Sequence, residues 1–203
     1  MQKPNNYETT QAAGEYERPD LGGHYAVIKN VRETKTQTGL DMLEISFDFA
    51  QNDRQAGKFL KDFCDDIRPD KKWPAAGTAR IFVHESGTTD CSRQFKGFTT
   101  AVEHSNQGFN ANTNWGPQWG AMFKGKLVGV VFGEEEYLNK DGQKVTASKP
   151  RYFIGTESVP EAKIPKLKPL KDGAAPSGSQ AAPAYTAPVS GFAPVMNMDD
   201  IPF

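Results

Sequence analysis

The sequence predicts a mainly β fold of five strands, with one helix between the third and fourth, followed by a disordered C-terminal tail. Three observations carry that expectation. Apolar residues alternate over several short stretches, turn-forming Gly, Asn and Asp separate those stretches, and one segment repeats its apolar residues at helical spacing. Near Lys171 the composition shifts sharply to Ala, Pro, Ser and Gly, which sets off the tail.

Taken in order, His24-Tyr25-Ala26-Val27-Ile28-Lys29-Asn30-Val31 is rich in β-formers and follows Gly22-Gly23, so it begins the sheet. Thr38-Gly39 supplies a turn. Leu43, Ile45, Phe47 and Phe49 then alternate with Met42, Glu44, Ser46 and Asp48, which predicts a strand with one buried face and one acidic, solvated face. Lys58-Phe59-Leu60-Lys61-Asp62-Phe63, opened by Gly57, is the candidate third strand. Residues 64–90 carry less pattern, with Arg80-Ile81-Phe82-Val83-His84 as a short extra strand. Phe95, Phe98, Thr99 and Val102 share one face of a helix over 91–105, with Asp90 as its candidate N-cap. Residues 126–132 form the fourth strand, Asn139-Lys140-Asp141-Gly142 a hairpin turn, and residues 149–154 the fifth strand. This succession is that of the OB-fold, a five-stranded barrel with one helix between strands three and four. Other small β-domains share the same strand count.

The chain divides into a flexible segment over 1–17, a folded domain over 18–170, a disordered Ala/Pro/Gly/Ser linker over 171–197 and a terminal hexapeptide over 198–203. The net charge of −1 over 203 residues hides an uneven distribution. Residues 21–170 hold 21 basic and 18 acidic groups, about +3, between acidic ends. A weakly basic body suits a polyanion binder. Cys64 and Cys91 do not form a CxxC pair and read as reduced, mostly buried thiols of a cytoplasmic protein. With His84 and His104 they match no usual zinc spacing. The polar N-terminus lacks a signal peptide's apolar run, and no stretch is apolar enough to span a membrane.

Phosphate-cradling, dinucleotide-binding, zinc-protease and serine-hydrolase motifs are missing, so no enzymatic activity and no cofactor is expected. Asp65-Asp66 and Glu134-Glu135-Glu136 sit beside turns or strand ends, where acidic groups are ordinarily solvated; metal-dependent cleavage of nucleic acid is the weakest reading. Single-stranded nucleic acid needs a cationic groove and aromatic faces, and stacking is worth about 1–3 kcal/mol per base. Candidates are Lys58, Phe59 and Lys61; Lys71, Lys72 and Trp73; Arg80 and Phe82; Trp115 and Trp119; Lys124 and Lys126; Arg151 and Tyr152. Phe47, Phe49, Phe95, Phe98 and Phe132 lie on apolar periodic faces and are assigned to the core. Phe59, Phe63 and Phe153 fit either role, as do the three tryptophans, which sit in polar loops. Because Glu44 and Asp48 make the second strand's outer face acidic, the groove is expected on strands three to five and the long loops.

In the terminal MDDIPF, Asp199 and Asp200 can pair with basic groups while Ile201 and Phe203 enter an apolar pocket, and Pro202 lowers the ordering entropy. This ending resembles the acidic tip of bacterial single-stranded DNA-binding proteins, with Met198 where a further aspartate is common. The resemblance implies docking on replication, recombination and repair proteins of a bacterial host. The body, through PDLGGHYAVIKNV, LEISFDFA, GKFLKDF, FKGFTTAVEHSN and FKGKLVGVVFGEEEYLNKDG, resembles a family of tailed-phage and prophage single-stranded DNA-binding proteins. That resemblance implies an OB-fold, no catalysis, and a phage replication or recombination setting in the bacterial cytoplasm. Together these features predict a sequence-independent single-stranded DNA-binding protein, expected to be a homodimer. The alternative is an adaptor that occupies host docking pockets without binding DNA itself.

Overall fold

A computed structural model describes residues 2–5, 7–8 and 17–170. The linker and tip over 171–203, and most of the N-terminal segment, lie outside the described residues. Five strands, β1 (Gly22–Lys35), β2 (Asp41–Phe49), β3 (Thr78–Phe82), β4 (Leu127–Leu138) and β5 (Lys144–Ile154), form one antiparallel sheet in the order β3-β2-β1-β4-β5. Two helices accompany it, α1 (Lys58–Asp65) between β2 and β3 and α2 (Arg93–Ser105) between β3 and β4. The sheet is open. Its edge strands β3 and β5 approach one another without pairing, and α2 packs against both.

The strand pattern holds where period two was clear. Leu43, Ile45, Phe47 and Phe49 of β2 are all buried, and so are Phe95, Phe98 and Val102 of α2. Two assignments are corrected. Residues 58–63 form a helix instead of the third strand, and the short extra strand near Arg80 is the third strand of the sheet. Phe59 and Phe63 lie four residues apart, which is helical spacing and not alternation. The buried Asp48 carboxylate on β2 accepts the backbone N–H of Phe59 at 2.9 Å and so satisfies a free donor in the first turn of α1. Asp48 is therefore a helix-end acceptor and not part of an acidic outer face. The N-cap of α2 is Ser92 and not Asp90; its hydroxyl oxygen accepts the Phe95 N–H at 3.0 Å.

Phe47, Phe49, Phe59 and Phe132 pack with ring centroids 4.8–6.4 Å apart, mostly edge to face. Burying each such ring contributes about 1.5–3 kcal/mol. His24 is fully buried in this cluster, stacked on Phe49 at 4.3 Å. Cys64 and Cys91 are both exposed and unbridged, correcting the expectation of buried thiols. Among the described residues no helix is long and apolar enough to cross a membrane.

β1 is shared between two neighbours. Residues 22–27 pair with β4 and residues 26–35 with β2, with a bulge between Ile28 and Asn30. Where β2 leaves β1, the loop after β2 supplies the missing partners. The Asp53 carboxylate accepts the Tyr25 N–H at 2.9 Å and contacts the His24 ring nitrogen Nδ1 at 3.0 Å. Arg54 donates to the carbonyls of Leu21 and Gly23.

Burial pushes the Asp53 carboxyl up, but the hydrogen bonds from His24, Gln55 N–H and Tyr25 N–H outweigh it and hold the group below the usual aspartate value. In the unfolded chain Asp53 titrates near 3.9, so on acidification the unfolded state takes up this proton first. The contribution of Asp53 is thus complete above about pH 4 and is lost as pH falls through the depressed folded value. Asp53→Asn should cost roughly 1–3 kcal/mol at pH 7. It should also flatten the loss of stability below about pH 4, as measured by urea unfolding across pH.

Candidate nucleic-acid interface

The outward faces of β1, β2 and β3 form the floor of a groove of about 1250 Å³, which extends to β5 and to the segment after it. The register brings Arg32, Glu44 and Arg80 side by side across the three strands. Glu44 accepts from Arg32 at 2.6 Å and from Arg80 at 2.9 Å. Its partial burial pushes the carboxyl up, but the two guanidinium groups outweigh this and keep it below the usual range. Both arginines remain well exposed, so each keeps N–H groups directed to solvent.

A second shared carboxylate stands across the groove. Glu135 of β4 meets Lys168 at 2.8 Å and Lys149 at 3.9 Å. Burial raises its carboxyl, and the lysines together with Arg151 lower it by more. The remaining cations of the groove are Arg68, Lys72 and Arg151. Arg68 forks onto Asp66 at 2.6 Å and, by hydrogen bonding, lowers that carboxyl to about 2. The lining therefore carries seven cationic side chains against two carboxylates, a net of +5. Such surplus in a concave site concentrates positive potential.

Arg151 owes its place to a fault in the ladder. Val131 pairs with Tyr152 and Phe132 with Pro150, which leaves Arg151 as the extra residue of a bulge. Its guanidinium donates to the Glu134 carbonyl at 3.1 Å. Pro150 is accommodated because β5 is an edge strand.

Of the sequence-predicted residues, Lys72, Trp73, Arg80 and Arg151 line this groove. Trp73 is half-buried, and its indole N–H is held by the carbonyls of Phe47 and Gly77, both at 3.1 Å. The others lie elsewhere. Phe59 is fully buried, with its faces against Phe47, Phe49 and Phe132, and so has no face for a base. Lys58 is buried and pairs with Asp62 at 3.3 Å. Trp119 is also buried; the exposed Trp115 stacks on it at 5.1 Å with 4° between the rings, away from the groove lining. Lys61 and Lys124 are exposed outside the groove. Lys71 sits 4.8 Å above the Phe63 ring and Lys126 5.2 Å above Phe109. Phe82 lines a separate hollow beside His84, and Tyr152 is exposed on β5.

Four groove cations escaped the sequence reading: Arg32, Arg68, Lys149 and Lys168. Strands one and two also line this groove, whereas the acidic face of the second strand, with Glu44 and Asp48, placed the expected groove mainly on strands three to five and the long loops. The missing signal was the register, which makes Glu44 the shared partner of two arginines and not an isolated negative charge. Among the described residues no group of three or more His, Cys, Asp or Glu is placed to hold a metal ion. No protein-family model matches the chain, and no curated protein matches it either.

Proposed function

We propose that the protein binds single-stranded DNA, without sequence preference, in the cationic groove over β1–β3 and β5. The observation that carries this reading is the net +5 charge on a concave β surface whose lining also includes Trp73. The strand order supports it. Pairing β3 with β5 would close the sheet into a five-stranded barrel with α2 between strands three and four, and the OB-fold is a partly open barrel of that kind. OB-folds bind oligonucleotides on the face of strands two and three, which is the floor of this groove. A concave cationic surface of this kind can follow the backbone of a flexible single strand. Residues 198–203 act as a docking peptide for partner proteins of replication, recombination and repair, with Asp199 and Asp200 meeting basic side chains while Ile201 and Phe203 enter an apolar pocket.

Titration of the full chain with oligo-dT should quench tryptophan fluorescence and retard the complex in a gel. The slope of log affinity against log salt should be about −0.7 for each phosphate engaged. No response at low salt overturns the reading and favours the adaptor alternative. Oligo-rU in the same assay reports any preference between RNA and DNA.

Glu44→Gln gives a test of opposite sign to the usual loss. With the shared carboxylate gone, Arg32 and Arg80 turn to phosphate, and oligo-dT affinity should rise by about 3- to 10-fold at low salt, with a steeper salt dependence. An unchanged affinity would remove these two arginines from the interface. Deleting residues 198–203 should leave oligo-dT affinity unchanged or raised while abolishing partner capture. A large loss of DNA affinity on that deletion contradicts the assigned role of the tip.

A further inference from the structure

The groove does not end at the edge of the sheet. Between β3 and β5, where the sheet stays open, lies a hollow of about 240 Å³ that shares Ala79, Arg80, Gln94, Pro150 and Arg151 with the groove. Its floor is apolar and aromatic. Phe98 and Phe153 meet edge to face at 5.0 Å, with Ile81 beside them. Its rim is cationic, with Arg80 on β3, Arg93 on α2 and Arg151 on β5. Sites for whole drug-sized ligands usually measure about 300–1,000 Å³, so this hollow suits a single planar ring system and not a complete metabolite.

Gly97 forms the wall of the hollow on α2. It lies inside the helix, where glycine is less stable than alanine by about 0.5–1 kcal/mol. Elsewhere in this fold either a positive φ or a close neighbour accounts for a glycine: a Cβ on Gly77 would lie 2.7 Å from Phe59, and one on Gly120 would lie 2.5 Å from the Val31 carbonyl oxygen. At Gly97 a Cβ would meet nothing within 4 Å. Packing within the chain therefore gives no reason for glycine there. The missing side chain leaves open a saddle between the seam hollow and a second one of about 660 Å³ between α2 and the end of β5, which share Arg93, Gly97 and Phe153.

Resting on the groove reading above, we infer that the open seam between β3 and β5 is a base-binding subsite. One nucleobase of the bound strand turns out of the groove onto the partly exposed Phe153, which the buried Phe98 backs, the flanking phosphates meet Arg80, Arg93 and Arg151, and Gly97 keeps the wall clear. Charge and continuity select this occupant. The hollow is reached from the cationic groove through shared residues, and its rim of three arginines suits an apolar ring carried on an anionic backbone.

The test compares wild-type full chain with Gly97→Leu and Gly97→Ala, using the shortest oligo-dT that binds at full affinity and a series of that oligonucleotide with one abasic position each. Gly97→Ala should raise the unfolding midpoint and so shows that the helix tolerates a side chain there. Gly97→Leu fills the saddle, and its oligo-dT affinity should fall by about 5- to 150-fold, the range implied by one lost base contact. In wild type one abasic position should weaken binding by a similar factor, and in Gly97→Leu that penalty should vanish, because the base is already excluded. Equal affinity of wild type and Gly97→Leu, or an abasic penalty that persists in the variant, overturns the seam subsite while leaving the groove reading intact. Failure of the wild type to bind oligo-dT at all overturns both.

Discussion

The curvature of this protein depends on the division of one strand. β1 hydrogen-bonds to both neighbours only around Ala26 and Val27; before that point it belongs to β4 and beyond it to β2. A strand shared in this way has one open edge at each end, and buried backbone donors and acceptors cannot be left open. The first gap is closed by Asp53 and Arg54, acting on Tyr25, Gly23 and Leu21. On the far side the chain returns at Gly125 and Lys126 to bond Ile28, and Gly120 lies so close to the Val31 carbonyl that only glycine fits. The bulge at the crossover increases local twist, as bulges do, and the sheet curls until β3 and β5 face each other. The groove and the seam are the outer and the unsealed parts of that one curl.

Charge in the groove is arranged as carboxylates shared between cations. Exposed ion pairs of this kind add little stability, about 0–1 kcal/mol each, so Glu44 and Glu135 are poorly explained as staples. They do hold long side chains in place. Arg32 and Arg80 are kept together on one carboxylate, and Lys149 and Lys168 on the other. An anion arriving at either pair would meet donors already gathered, which lowers the ordering entropy of binding. The carboxylates also set a limit, because they compete with that anion for the same N–H groups.

Periodicity made β2 and α2 legible, while β-forming residues and turn signals located β1 and the inner parts of β4 and β5, whose outer halves over 133–138 and 144–148 carry no comparable apolar pattern. The sequence misled at 58–63, where a short segment opened by Gly57 read as a strand although Phe59 and Phe63 are four apart. What settles that segment is the Asp48 carboxylate at the start of α1, a contact made between different elements. The aromatic candidates divided for a similar reason. Trp73, Trp115 and Trp119 share a polar, loop-like setting in the sequence, yet Trp119 is buried, Trp115 covers it, and Trp73 borders the groove. Arg32 and Lys149 looked unremarkable because neither stands next to an aromatic residue. Their meaning lies in pairing across strands, which a linear reading cannot supply.

The chain after β5 runs beside the outer arm of β4, where Lys168 bridges to Glu135 and the Leu170 N–H bonds the Glu136 carboxylate at 3.0 Å. The last described residues are thereby moored at the border of the groove, since Lys168 belongs to its lining. Thirty-three residues follow Leu170, and a chain of that length reaches about 110–120 Å at most. Any molecule gripping the final residues is thus leashed to a volume centred on the groove, and its local concentration there is set by tether length in place of bulk concentration.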